Sequence, residues 1–206
     1  MAWAKPTIQY CENSLSGWIA QPANAFSSLL ISFAGIYILR QRRHQYSAPL
    51  GWAAILLGIS SAVYYATDTF AGQLADLGGM FLLASLMIAA GLRVKKLWPT
   101  LITGAGVPII LTAIFRTVGN FNIGIPLFTI LLATALYFEL RLKTKKRFYA
   151  LAFAAFAAGF IFWWLDYKRI WCSPGSSHYI NGHAVWHIFN AVALLMLDKY
   201  YSLRPS

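Results

Sequence analysis

Of 206 residues, 59% belong to the hydrophobic set and only 11% are charged, against about 25% charged in ordinary soluble domains, so the chain reads as a membrane protein. Fifteen glycines, eight prolines and 16% aromatics exclude the collagenous and disordered classes, and two cysteines are too few for a secreted disulfide scaffold. The net charge of +11 raises nucleic acid as a partner, a reading that the placement of the charges decides.

The first fourteen residues lack an apolar core and a small-residue cleavage site, so no removable signal peptide is expected. Seven apolar runs then follow, each long enough for a hydrocarbon core of about 30 Å: Pro22 to Leu39, Leu50 to Thr67, Leu74 to Leu92, Leu97 to Phe115, Ile123 to Leu142, Phe148 to Leu165 and His183 to Tyr201. The expectation is an all-α, polytopic seven-helix bundle forming one domain over 1–206. No internal repeat, low-complexity segment or linker interrupts it, which disfavours a repeat-built transporter.

The connections alternate in charge. Arg40, Arg42 and Arg43 follow the first span, Arg93, Lys95 and Lys96 the third, and Arg141, Lys143, Lys145, Lys146 and Arg147 the fifth; Lys199 and Arg204 close the chain. These thirteen cations belong on one side, leaving Lys5, Arg116, Lys168 and Arg169 for the other. By the positive-inside rule the N-terminus lies outside and the C-terminus in the cytoplasm. The basic excess is therefore a topology signal with membrane lipids as its partners, and nucleic acid drops out.

On this map Glu12, Asp68, Asp76 and Asp166 fall toward the non-cytoplasmic side with His178, His183 and His187, while Glu139, Asp198 and His44 fall on the other. His183 and His187 are four apart at the start of the last span, so a helix puts both on one face about 6 Å apart, a spacing that suits zinc. The plain alternative is a pair of interfacial histidines bonded to backbone or water. Ser61, Tyr65 and Asp68 share a face of the second span, at spacings of four and three. Asp76, near the start of the third span, is a candidate for proton transfer or a metal shell; a helix-start carboxylate favoured by the dipole is its alternative. Ser61 without its neighbours reads as a small packing residue. Asp166 reads as an interfacial partner of Lys168 or Arg169. Cys11 and Cys172 share the non-cytoplasmic side, where a disulfide is stable.

Three blocks bear a resemblance: Tyr10-Cys11-Glu12-Asn13 with Ile19-Ala20-Gln21-Pro22-Ala23-Asn24; Gly58 through Thr67 with Gln73 and Asp76; and Trp164-Leu165-Asp166, Cys172 and His183-Ala184-Val185-Trp186-His187. In this order they resemble the alkaline ceramidase family, part of the CREST superfamily of seven-helix membrane hydrolases that includes the adiponectin receptors. The resemblance implies a zinc amidase that splits ceramide into a sphingoid base and a fatty acid. It matches the family's three zinc histidines to Tyr65, His183 and His187, its catalytic aspartate to Asp76, its oxyanion serine to Ser61, and its disulfide to Cys11 and Cys172. The first histidine is thus a tyrosine here, and the third ligand stays open among Tyr65, Asp68, Asp76 and a second water. Glu12 and Asn13 match a calcium site, but Gln9 and Gln21 stand where carboxylates are expected, so calcium is disfavoured.

The expected function is metal-dependent hydrolysis of the amide of ceramide or a related N-acyl lipid, with Asp76 as base and then acid, Ser61 and Tyr65 as donors to the oxyanion, and the bundle interior holding the acyl chain. The alternative is a non-catalytic lipid-binding sensor, carrier or accessory protein. A retinal protein is excluded in its usual form, because Lys199 lies at the end of the last span.

Overall fold

The computed structural model describes residues 5–94, 96–119, 122–172 and 177–204; Lys95, one of the thirteen cations, lies outside them. Among the described residues there are seven helices and no strand: α1 (Pro22–Gln41), α2 (Ser47–Thr67), α3 (Phe70–Gly91), α4 (Leu97–Gly119), α5 (Gly124–Leu140), α6 (Arg147–Tyr167) and α7 (Gly182–Leu203). Five of them, α1 to α4 and α6, are long and apolar enough to cross a membrane. The other two differ for separate reasons. Helix α5 is apolar but has only 17 residues, and α7 spends positions on two histidines, Asn190, Asp198 and Lys199.

The helix starts are built by capping. Pro22 opens α1 where its missing N–H costs nothing, and Glu12 accepts the next two orphan N–H groups, of Ala23 and Asn24, at 2.9 Å each. The Thr69 hydroxyl caps α3 by accepting from Gly72 N at 3.2 Å, and Asn181 caps α7 by accepting from Ala184 N at 2.7 Å. The α3 cap starts that helix four residues before the Leu74 expected from hydropathy, which leaves Asp76 beyond the first turn; the helix-start reading of Asp76 fails on that count.

Helices α1 and α2 approach closely through small residues, since a Cβ on Gly35 would stand 2.6 Å from the Gly51 carbonyl oxygen. Helix α7 packs on α1 and α6, and α3 packs on α2, α4 and α5. Helix α4 is peripheral, with only Pro108 and Thr112 buried. Large apolar side chains such as Phe26, Phe33, Trp98 and Ile161 face outward, as lipid-facing surfaces do.

Two apolar clusters divide the interior by height. One, around Ile38, Leu50, Leu86, Tyr200 and Tyr201, fills the end where the cations gather. The other, around Ile8, Tyr10, Tyr65, Trp163 and Trp186, fills the opposite end. There the non-helical segment before α1 folds over the bundle and bonds to the end of α2, with Ala20 N on the Ala66 carbonyl at 3.0 Å and Gln21 N on the Tyr65 carbonyl at 2.9 Å.

Candidate active site

Helices α2, α3 and α7 bring Ser61, Tyr65, Asp76, His183 and His187 to the wall of one cavity of about 330 Å³. All five are buried. The cavity runs down the bundle past Met80, Phe128 and Phe156 to Tyr149 and Leu197, so its polar end leads into an apolar shaft.

His183 and His187 are stacked one turn apart on α7, their rings edge to face with centroids 4.6 Å apart. Tyr65 Oη lies 2.6 Å from His183 Nε2. A phenol is protonated at neutral pH and donates, so this bond occupies the Nε2 lone pair and puts the His183 proton on Nδ1, which is buried without a partner against the Tyr10 ring, centroids 4.0 Å apart. His187 Nδ1 is 2.8 Å from Ser27 Oγ, and Ser27 donates to the Asn24 carbonyl at 3.2 Å. The pairing that satisfies all three groups has Nδ1–H donating to Ser27 and leaves His187 Nε2 unprotonated.

Ser61 donates its hydroxyl proton to Asp76 in a short bond. That gives Ser61 a polar partner beyond packing, and it means the hydroxyl proton that would serve an oxyanion is directed at the carboxylate in this arrangement. Asp68 does not join the cluster. Helix α2 ends at Thr67, and Asp68 is its left-handed C-cap, φ 48°, with its carboxylate turned out to Ser14 Oγ at 2.5 Å and Gln21 Nε2 at 3.2 Å. The shared face expected from spacing ends one residue too soon.

Two residues that shape the site come from outside that spacing. Asp166, at the end of α6, is fully buried and accepts the N–H of Cys11 at 2.9 Å and of His183 at 3.2 Å. It makes no close salt bridge with Lys168 or Arg169, although Arg169 still acts on it electrostatically; Lys168 lies over the Trp164 ring, 4.9 Å from its centroid. Cys11 is bonded to Cys172 in a disulfide, so this bridge and Asp166 together tie the segment before α1 to the end of α6, the connection after it and the first turn of α7. Burial pushes the Tyr10 phenol well up.

A family model described as Ceramidase matches residues 4–203. The chain belongs to the ceramidase family. It is also 26% identical, over 97% of its own length and 87% of the relative's, to the Dictyostelium discoideum protein named "Putative alkaline ceramidase dcd3A". Family membership makes the chain a hydrolase acting on amide bonds and, with its apolar helices, an integral membrane protein.

Whether this member's residues suit the metals expected of the ceramidase family is a question of donors. Among the described residues no three His, Cys, Asp or Glu side chains gather around one point. Two imidazoles and the Tyr65 ring lie side by side, their centroids 4.6, 5.1 and 5.4 Å apart, and as two nitrogens and one oxygen they fit zinc by type. The fit requires the Tyr65–His183 bond to open, because zinc–ligand bonds of about 2.0–2.1 Å in a tetrahedron hold neighbouring donors roughly 3.3 Å apart. For calcium, Asn24 Oδ1 is one buried oxygen left without a partner, but the matched residues themselves are engaged or exposed. Both Glu12 oxygens receive backbone N–H groups, Gln21 Oε1 receives Asn24 Nδ2 at 2.9 Å, and Asn13 is exposed. Burial raises the Glu12 carboxyl above its ordinary range, against the pull of those N–H groups.

Proposed function

We propose that the chain hydrolyses the amide of ceramide or a related N-acyl lipid at the polar end of the cavity, with zinc held by His183, His187 and Tyr65. The observation that carries the reading is the convergence of Asp76, Ser61, Tyr65 and both histidines on one cavity whose remainder is apolar, in a chain of the ceramidase family. All seven helices cross the bilayer in this reading, with the site on the non-cytoplasmic side; the support is the gathering of thirteen of seventeen cations in the opposite connections.

Bound zinc would supply a water acidic enough to attack at neutral pH. Asp76 is placed to take a proton from the attacking water and return it to the leaving amine, as base and then acid. Once protonated, Asp76 donates to Ser61 Oγ, reversing their hydrogen bond and releasing the Ser61 proton toward the oxygen of the attacked carbonyl. Ser27 holds the His187 ring, and Asp166 holds the first turn of α7. The acyl chain lies along Met80, Phe128 and Phe156.

The test is fatty-acid release from a panel of N-acyl lipids by the full chain in nanodiscs, with zinc measured on protein purified without chelator. Wild type is expected to turn over at least one lipid and carry near-stoichiometric zinc, with His183→Ala losing at least about a thousandfold in rate. A wild type inactive on every lipid while Tyr65→His is active would show that the tyrosine has silenced hydrolysis, and activity surviving His183→Ala would remove the histidine from the mechanism.

A further inference from the structure

Gln73 is a polar side chain at the cavity with no role in the chemistry above. Gln73 lies on α3 one turn before Asp76, is 1% exposed, and lines the cavity. Its Oε1 is held twice by Thr7, accepting from the backbone N–H at 2.8 Å and from the hydroxyl at 3.0 Å. Two donors on one atom identify it as the oxygen, so the orientation of the carboxamide is set by the N-terminal segment. Nε2 is left over, buried and without an acceptor.

The Tyr64 hydroxyl shares that condition. Tyr64 is 1% exposed, lines the same cavity, and its Oη is buried without a partner. A Cβ on Gly72 would stand 2.8 Å from Tyr64 Cα, so α2 and α3 touch where Gln73 and Tyr64 meet the cavity. Unmatched buried donors are costly and rare in folded chains. Two of them beside the reacting carboxylate, one deliberately oriented, are what a site looks like when an oxygen of the ligand completes it.

We infer that Gln73, oriented by Thr7 and assisted by Tyr64, is a substrate-binding residue that donates a hydrogen bond to an oxygen of the lipid's polar head. The inference rests on the amide-lipid reading and specifies how that lipid is registered against Asp76. Two oxygens of such a head suit the donor: a hydroxyl of the long-chain base, or the amide carbonyl. Ser61 is committed to Asp76 at the outset and the unpartnered His183 Nδ1–H lies against the Tyr10 ring, so Gln73 Nε2–H and the Tyr64 hydroxyl are the donors on the α2 and α3 side open to the substrate from the start.

The experiment compares wild type, Gln73→Met and Gln73→Glu on ceramide and on analogues lacking one head hydroxyl. Gln73→Glu keeps the oxygen that Thr7 holds, so it preserves the segment's anchorage if Gln73→Met folds poorly. A hydroxyl partner predicts a KM raised about tenfold in the variants, kcat unchanged, and no further loss on the matching deoxy analogue. A carbonyl partner predicts a kcat lowered about a hundredfold on all of them. Thr7→Val, which removes one of the two orienting donors, should move the same parameter about threefold. Kinetics of both Gln73 variants within threefold of wild type would overturn the proposal. If wild type hydrolyses nothing, labelling by a photoactivatable ceramide decides instead. A tenfold weaker competition by ceramide in Gln73→Met supports the proposal, and unchanged competition sinks it.

Discussion

At the cation-rich end, Glu139 is buried and fully answered: Tyr200 donates to it in a short bond, Arg204 Nη1 lies 3.3 Å from Oε2, and Arg204 Nη2 donates to the Ala90 carbonyl at 2.8 Å. Asp198 beside it accepts the Ser47 hydroxyl at 2.6 Å. At the opposite end Asp76 is equally buried but has only Ser61, and its neighbours are two imidazoles, a phenol and a cavity. Carboxylates of the same kind thus do different work according to what surrounds them. Glu139, paired and without a cavity, ties α5, α7 and the end of α3 together, whereas Asp76, unpaired beside a cavity, has lone pairs to spend on a substrate.

The sharpest break in this comparison is a substitution at each end read by the same two measurements. Asp76→Asn keeps the shape and the Ser61 contact but removes the base, so kcat should fall about 10²- to 10⁴-fold with little change in the unfolding midpoint. Arg204→Leu should do the reverse. It strands a buried carboxylate, for which breaking a pair typically costs about 3–5 kcal/mol, while the folded fraction keeps kcat within about twofold. Unfolding in detergent and initial rates per folded molecule check both. A kcat loss in folded Arg204→Leu would mean that the two ends are coupled through α7.

The double variant Glu139→Leu with Arg204→Leu sharpens the point. Removing both charges together should recover most of the lost stability, because the stranded charge, rather than the missing attraction, carries the penalty. The site end has no such rescue, since no substitution opposite Asp76 replaces a proton acceptor.

The helices were legible because seven apolar runs separated by charged connections leave little choice, and the start of α3 was misplaced because its signal is a Thr69 cap rather than hydropathy. Within the site, His183 with His187 and Ser61 with Tyr65 followed from spacing, Asp76 from its place near the start of the third span, and the roles of Ser61, Tyr65 and Asp76 from the resemblance. What spacing could not reach is whatever acts through backbone or across the chain. Asp166 bonds Cys11 from 155 positions away, Gln73 is oriented by Thr7 from 66 away, and Ser27 meets His187 from 160 away. Asp68 failed for the opposite reason: helical spacing was extended one residue past the end of the helix.

The smallest effect separates the ends by pH. His44, in the connection between α1 and α2, is held below the ordinary histidine range, first by burial and then by Arg204, with Asp198 opposing. A base whose folded pKa lies below its unfolded value binds protons more readily when unfolded, so its contribution is complete above about pH 6.5 and is lost as pH falls through the folded pKa. Stability of the wild type should therefore decline on acidification below that point, and His44→Gln should flatten the decline slightly while leaving the pH dependence of kcat unmoved. If His44→Gln shifts the kcat profile instead, the cation-rich end reaches the site, and the division of labour between the two sets of carboxylates is wrong.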